Sequence, residues 1–377
     1  MNKIDAETIK KILLIRRDNI GDLICTTPAI HMLREKFPKA KIGILVNSYN
    51  ADAVAGNPDI DEVYVYEKGK HVEDRSRFSV WFANLALFIR IRRERYDVAI
   101  GCGYNYSSTL ARYTFLTGAR KRIGYASSGS RAVYYNAPLN EPSEPVHEVA
   151  AVFKLIEPLG ITGEPSNLVL VPSADEKEKV LKFLFPHPTP DTSIRGQASH
   201  PRYRHSGAGI PPPTQAFGGR HPNIVAMHIS SRKENNQWPA DRFVALGNEL
   251  IKKYNITPLI LWAPGSSKNP YHPGDDEKAE EIASKMIVRP IMYKTTSLRE
   301  LVAAVSICKM IVCCDGGAMH IAAALGKPTV TVWGSTDKRR WAPWKVDHII
   351  LQKGNRADEI GVDETVDAFG KLWTALR

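Results

Sequence analysis

Long apolar runs are missing from this chain. No stretch of its 377 residues approaches the roughly 20 apolar residues needed to span a bilayer. The greasiest segments, Ile12–Ile15 and Met310–Cys314, are strand-sized. The first residues, Met1-Asn2-Lys3-Ile4-Asp5, lack the apolar core of a secretory signal, so a cytoplasmic protein is expected. Cysteine is scarce. Cys25, Cys102, Cys308, Cys313 and Cys314 make no CxxC pair and no zinc spacing, which predicts buried, reduced thiols. Neither GxGxxG nor GxxxxGKS/T occurs, which argues against dinucleotide and P-loop chemistry. No serine or cysteine stands in a nucleophile elbow, which argues against a hydrolase.

Acid is in deficit. Against 51 Lys/Arg stand 40 Asp/Glu, a net charge of +11, and that balance favours an anionic partner. The excess concentrates between Lys68 and Arg122, where 12 basic residues face four acids. An acidic acceptor explains this concentration better than a solvated face does. Aromatic residues do not interleave with the cations and no nucleic-acid motif is present, so nucleic acid is not expected.

Short apolar strands alternate with helical patterns. Strands are expected at Ile9–Arg16, Lys41–Val46, Val63–Val65 and Val98–Ile100. Helices are expected at Leu23–Phe37 and Phe78–Arg95, the latter with Trp81, Leu85, Phe88 and Ile89 on one side. The alternation restarts with Ile224–His228, Ala240–Tyr254, Thr257–Trp262, Asp276–Lys285, Leu298–Val305, Met310–Cys314, Ala318–Leu325, Pro328–Trp333 and Val362–Leu376. Such alternation predicts α/β architecture with parallel sheets covered on both faces. Two domains follow, 1–185 and 223–377, with the last helix a candidate to pack back on the first. Between them, Pro186–Pro222 holds eight prolines, five glycines and four histidines but no Leu or Val, the composition of an extended linker insertion. Its histidines, His187, His200, His205 and His221, match no metal spacing.

Three motifs carry chemistry. In Arg16–Pro28, Asp22 follows Gly21 at a strand-to-helix turn, on the carboxyl edge where open α/β sheets place ligands. It is either a helix cap or a general base facing the crevice. In Cys314-Asp315-Gly316-Gly317-Ala318-Met319-His320, two glycines open a helix N-terminus suited to phosphate. Here Asp315 is a cap or a hydroxyl acceptor, and His320 a ligand or an inner-face residue. Third, Ser230, Ser231, Arg232 and Lys233 follow a strand directly and either suit a diphosphate or form a solvated polar loop, with their place at the strand end favouring the first. Asp59-Ile60-Asp61 mimics a metal-binding DxD but reads as turn chemistry.

The series Gly21-Asp22…Thr27-Pro28, Asn57–Val63, Asp315–His320…Gly326-x-Pro328 and Trp333–Asp337 resembles glycosyltransferase family 9, the lipopolysaccharide heptosyltransferases. The resemblance spans both halves and leaves out Pro186–Pro222. It implies a GT-B fold: two Rossmann-like domains facing a central cleft, the acceptor on the first and the nucleotide sugar on the second. It further implies inversion without a metal or other cofactor, ADP-heptose as donor and an anionic lipopolysaccharide inner-core acceptor, with peripheral contact at the inner membrane. Carried over by residue, Asp22 matches the catalytic base, Asp315, Gly317 and His320 the nucleotide site, and Ser230 and Ser231 its paired hydroxyls. Thr295 and Thr296 fall near the adenine, and the ribose acid is Asp275, Asp276 or Glu277. Gly316, Arg232 and Lys233 complete the donor set, while Lys68, Lys70, Arg120 and Arg122 are the acceptor candidates. One departure stands out. The family lysine before Trp238-Pro239 is here Asn236, leaving Arg232 or Lys233 to meet the diphosphate. The alternatives are a family member with another acceptor or sugar, a nucleotide-sugar 2-epimerase, and a non-catalytic ADP-sugar-binding protein.

Overall fold

The computed structural model describes residues 9–67, 77–126, 134–186, 223–269 and 274–376. The Pro186–Pro222 insertion beyond Pro186, with its histidines, lies outside them, as do Lys68 and Lys70.

Six parallel strands form each of two sheets. The first contains β1 (Lys11–Ile15), β2 (Lys41–Asn47), β3 (Glu62–Tyr66), β4 (Val98–Gly101), β5 (Lys121–Ala126) and β6 (Ala137–Asn140), in the order β3-β2-β1-β4-β5-β6. The second contains β7 (Ile224–His228), β8 (Thr257–Trp262), β9 (Ile291–Lys294), β10 (Met310–Cys314), β11 (Thr329–Trp333) and β12 (His348–Gln352), in the order β12-β11-β10-β7-β8-β9. Strands β1, β7, β10 and β11 are buried along nearly every residue, as parallel strands covered on both faces must be. In each sheet the strand order reverses beside the first strand, between β1 and β4 and between β7 and β10. A crevice therefore opens at the carboxyl ends of β1 and β7.

Helices of the first half are α1 (Ile20–Ile24), α2 (Thr27–Lys36), α3 (Arg77–Glu94), α4 (Ser108–Leu116), α5 (Glu148–Lys154) and α6 (Ala174–Leu184). Those of the second are α7 (Ala240–Tyr254), α8 (Asp276–Lys285), α9 (Leu298–Ser306), α10 (Gly317–Ala324), α11 (Lys338–Trp341) and α12 (Val362–Ala375).

Three expectations need correction. Leu23–Phe37 is not one helix but α1 and α2. Pro28 has no N–H to give to the Ile24 carbonyl, and the Thr27 hydroxyl takes that acceptor instead at 2.7 Å, which breaks the helical ladder. In α3 the apolar residues do not share a buried side. Phe88 is 9% exposed and packs with Ile91 on Tyr64 and Tyr96, but Trp81, Leu85 and Ile89 are 59%, 42% and 44% exposed. Apolar side chains surround this helix, so periodicity could not say which face turns inward. Finally, α12 lies on α7, β11 and β12, burying Phe369 and Trp373 in the second core, rather than returning to the first sheet.

The halves interlock elsewhere. Helix α6 packs on α9, α1 meets α10, and one apolar core runs through both sheets. Asp59 and Asp61 belong to a turn: Asp61 accepts the Ile42 N–H at 2.7 Å and pairs with Arg34, while Asp59 faces His31 at 2.9 Å. All five cysteines are free and buried.

Candidate functional site

The chain leaves β1 at the carboxyl edge, yet Arg16 turns back inward and is 1% exposed. Its Nη2 donates to Asp22 Oδ1 at 2.7 Å and to Glu148 Oε1 at 2.6 Å, and its Nη1 to the Cys102 carbonyl at 2.9 Å. Burial works against a charge here, but Glu148, Asp22 and Asp18 outweigh it and hold the guanidinium above its ordinary range. Asp18 is raised by burial, with Arg16 opposing.

Asp22 is the third residue of α1. Its Oδ2 accepts the Asn19 N–H at 3.2 Å, so it serves the helix start, while its side chain, 12% exposed, also faces a cavity. The carboxylate thus holds the helix start and still fronts the cavity. The cavity measures about 400 Å3 and is walled by Arg17, Asp18, Asp22, Tyr104, Tyr106 and Arg340 among others. Among the described residues that line it, Arg340 and Trp341 come from the second half. Arg340 Nε donates to Glu148 Oε2 at 2.8 Å, and its guanidinium lies 3.9 Å over the Tyr104 ring.

On the facing edge, the residues singled out for the nucleotide gather behind β7, β8, β9 and β10. Ser231 Oγ donates to the Asp315 carbonyl at 3.4 Å, and Ser230 Oγ accepts the Ala263 N–H at 2.9 Å. Asp275, beside Ser230, is raised by burial, with the Ser230 hydroxyl opposing. Thr296 gives both its N–H and hydroxyl to Glu300, each at 2.7 Å. Asp276 is tied to Trp262 and Lys294, and Glu277 to Ser266 and Ser267. Asp315 Oδ2 accepts from Asn236 at 2.7 Å and from Thr336 at 2.6 Å. Gly316 and Gly317 open α10 beside it, where free N–H groups and the helix dipole favour an anion. Lys233 is exposed.

The two edges touch. A Cβ on Gly21 would come within 2.5 Å of His320 Cδ2, and one on Gly317 within 3.8 Å of Ile20. Arg232 Nη2 reaches across to Asn19 Oδ1 at 3.4 Å. His320 is buried, with Cys25 Sγ 3.7 Å from its Nδ1 and Trp341 edge-on. Burial pushes its imidazole down to about 4, against the pull of Asp315 and Asp22.

Arg120 and Arg122 do not join this site. Arg122 pairs in register with Ala99 near the start of β4, at the amino edge opposite Asp22, and Arg120 precedes it there, 83% exposed. Among the described residues, Arg16, Arg17 and Arg340 are cations that line the cavity. Glu148 and Arg340 escaped sequence reading because they lie far from Asp22 along the chain; the only local hint was the run Lys338-Arg339-Arg340.

Similarity follows the same lines. The profile of glycosyltransferase family 9 (heptosyltransferase) matches residues 84–366. Lipopolysaccharide heptosyltransferase 3 of Escherichia coli (strain K12) is 23% identical over 345 residues, spanning 89% of this chain and 86% of that one. Among solved structures, the family 9 glycosyl transferase of Veillonella parvula DSM 2008 superposes with a TM-score of 0.75 at 18% identity, covering 97% of both chains. The E. coli heptosyltransferase WaaC with ADP gives 0.69 at 16% identity, over 97% of this chain and 100% of that one. Two facing parallel sheets of the GT-B kind, with a family match across three-quarters of the sequence, place this chain in glycosyltransferase family 9.

Proposed function

We propose that this glycosyltransferase moves heptose from ADP-heptose to an anionic lipopolysaccharide inner-core acceptor, with inversion and without a metal ion. The observation that carries the reading is Asp22, fixed by Arg16 and the Asn19 N–H on the wall of a cavity where the two carboxyl edges meet. Support for the donor is that the similar E. coli WaaC is described with ADP and with ADP-2-deoxy-2-fluoro heptose. Support for the acceptor is the relative described as lipopolysaccharide heptosyltransferase 3.

The chemistry is a single displacement. The acceptor hydroxyl lies in the Asp22 cavity and attacks the anomeric carbon. Its proton passes to an Asp22 carboxylate oxygen, the new glycosidic bond forms, and the bond to the β-phosphate breaks. ADP departs with that electron pair from the opposite face, so the configuration inverts. A general base contributes roughly 10²–10⁴-fold. Charge developing on ADP meets the α10 N-terminus, Arg232 and Lys233, groups aimed at the leaving group before reaction. A carboxylate or phosphate on the acceptor meets Arg17 and Arg340.

Such an acceptor is lipid-anchored, and α3 suits contact with an anionic bilayer. Trp81, Phe82, Leu85 and Ile89 are 42–61% exposed along it, and Arg92 and Arg93 follow in its last turn; apolar insertion with basic flanks is how a surface helix holds such a membrane.

The test is incubation with ADP-heptose and inner-core acceptor, with and without EDTA. Transfer with an inverted linkage in both supports the reading. Binding without turnover, epimerised donor or dependence on a divalent ion overturns it.

A further inference from the structure

We infer that Glu148 and Arg340 are positioning residues that tie the charge on Asp22 to the docking of the second half on the first. The inference rests on Asp22 being the general base.

One guanidinium nitrogen, Arg16 Nη2, serves both Asp22 and Glu148, at 2.7 and 2.6 Å. Arg16 and Glu148 are essentially sealed from water, at 1% and 0% exposure. Two carboxylates therefore compete for a single buried cation, where screening by solvent is weak. Arg340 relieves the competition by neutralising the second oxygen of Glu148 at 2.8 Å. It arrives from α11, in the second half. Its neighbours fix the same junction: His147 Nε2 meets the Ala342 carbonyl at 2.8 Å, and Trp344 Nε1 donates to the Ser166 carbonyl at 3.0 Å.

The groups around Asp22 come from every side. Arg16, Arg17, Asp18 and the buried Cys25 lie on its own segment, Glu148 on α5 with His147 capping it, His320 on α10, Arg340 on α11, and Arg232 behind Asn19. Burial depresses both histidines, so near neutral pH the local charge is set by the arginines and the three carboxylates.

The sign follows from sharing. When Arg340 leaves, Glu148 has only Arg16, and Arg16 is drawn from Asp22 toward it. Asp22 is then left with a smaller share of the one buried cation. With a neutral side chain in place of Glu148, Arg16 Nη2 serves Asp22 alone. The base is thus ready when the halves are docked, the state in which donor and acceptor face each other.

The experiment is single-turnover transfer against pH, with saturating ADP-heptose and inner-core acceptor. Arg340→Gln is expected to move the acid limb upward by about half a pH unit or more, and Glu148→Gln downward by a similar amount. Arg340→Lys keeps the charge, so its acid limb is expected to stay in place even where its rate falls through lost contact with Tyr104 and the acceptor. A purely structural pair would lower the rate equally at every pH. Limbs that stay still, or that move in the same direction, overturn the inference. If Glu148→Gln does not fold, the two Arg340 variants decide it: an upward move with Gln but not with Lys supports it, and any other pattern rejects it. Failure of the base assignment shows separately, as turnover retained by Asp22→Asn.

Discussion

Asn236 donates its side-chain amide to Asp315 at 2.7 Å and accepts the Gly334 N–H at 3.0 Å, fully buried between them. A lysine here would place its stem and charge in a fully buried position and leave the Gly334 N–H without its acceptor. Asn236 instead holds the Asp315 carboxylate in place beside the start of α10. Asn236→Lys is therefore expected to destabilise the protein without raising ADP affinity. Asn236→Ala strands the Gly334 N–H and should cost about 1–3 kcal/mol. Urea unfolding and ADP calorimetry check both; a stable Asn236→Lys variant with tighter ADP binding would contradict them.

Gly21 presses on His320 across the halves, and a methyl there would sit 2.5 Å from the ring. Gly21→Ala should cost about 1–3 kcal/mol through overpacking. Because the strain falls on the α1–α10 contact, transfer should drop more than ADP binding does. Thermal melts paired with transfer assays report the two effects.

Acid should loosen the fold through its buried histidines. Burial pushes His228 and His320 down to about 4 from an ordinary 6.5. Between those values the unfolded chain takes up protons that the folded chain refuses. Stability is then fully present above about 6.5 and declines as pH falls toward 4. The urea midpoint should drop from pH 7 to pH 5, and His228→Gln should flatten that slope. A midpoint flat over this range in the unmodified protein would refute the assignment.

The thiols should be silent. Burial pushes Cys102 and Cys308 up to about 12 and Cys314 to about 11, and raises Cys25 and Cys313 strongly. A thiolate reagent at pH 8 should modify none of the five in the folded protein and all five in denaturant. Rapid labelling of the native protein would show an opening of the cores that the packing does not predict.

How much of this was legible in the residues differs from element to element. Strands β7, β8 and β10 and helices α7 and α8 fall where the sequence pattern and flanking turns put them, because the strands are short continuous apolar runs and each helix packs one clear face against the sheet. The α1–α2 break turned on Pro28, which has no N–H for the Ile24 carbonyl, and on the Thr27 hydroxyl that takes that acceptor. The inward face of α3 depended on tertiary packing that its nearly uniform apolar surface does not encode. Asp22, Asp315 and the serines stood in motifs at strand ends, where local sequence and position agree. The buried ion-pair chain could not be read this way. Arg16, Glu148 and Arg340 are remote in sequence, and only the folding of both halves makes them neighbours.

The central claim is the role of Asp22, and Asp22→Asn tests it most directly, since the amide keeps an oxygen for Arg16 while losing basicity. With ADP-heptose and inner-core acceptor saturating, transfer by this variant should fall by about 10²-fold or more, with ADP affinity unchanged. Transfer within a few-fold of the unmodified enzyme would contradict it.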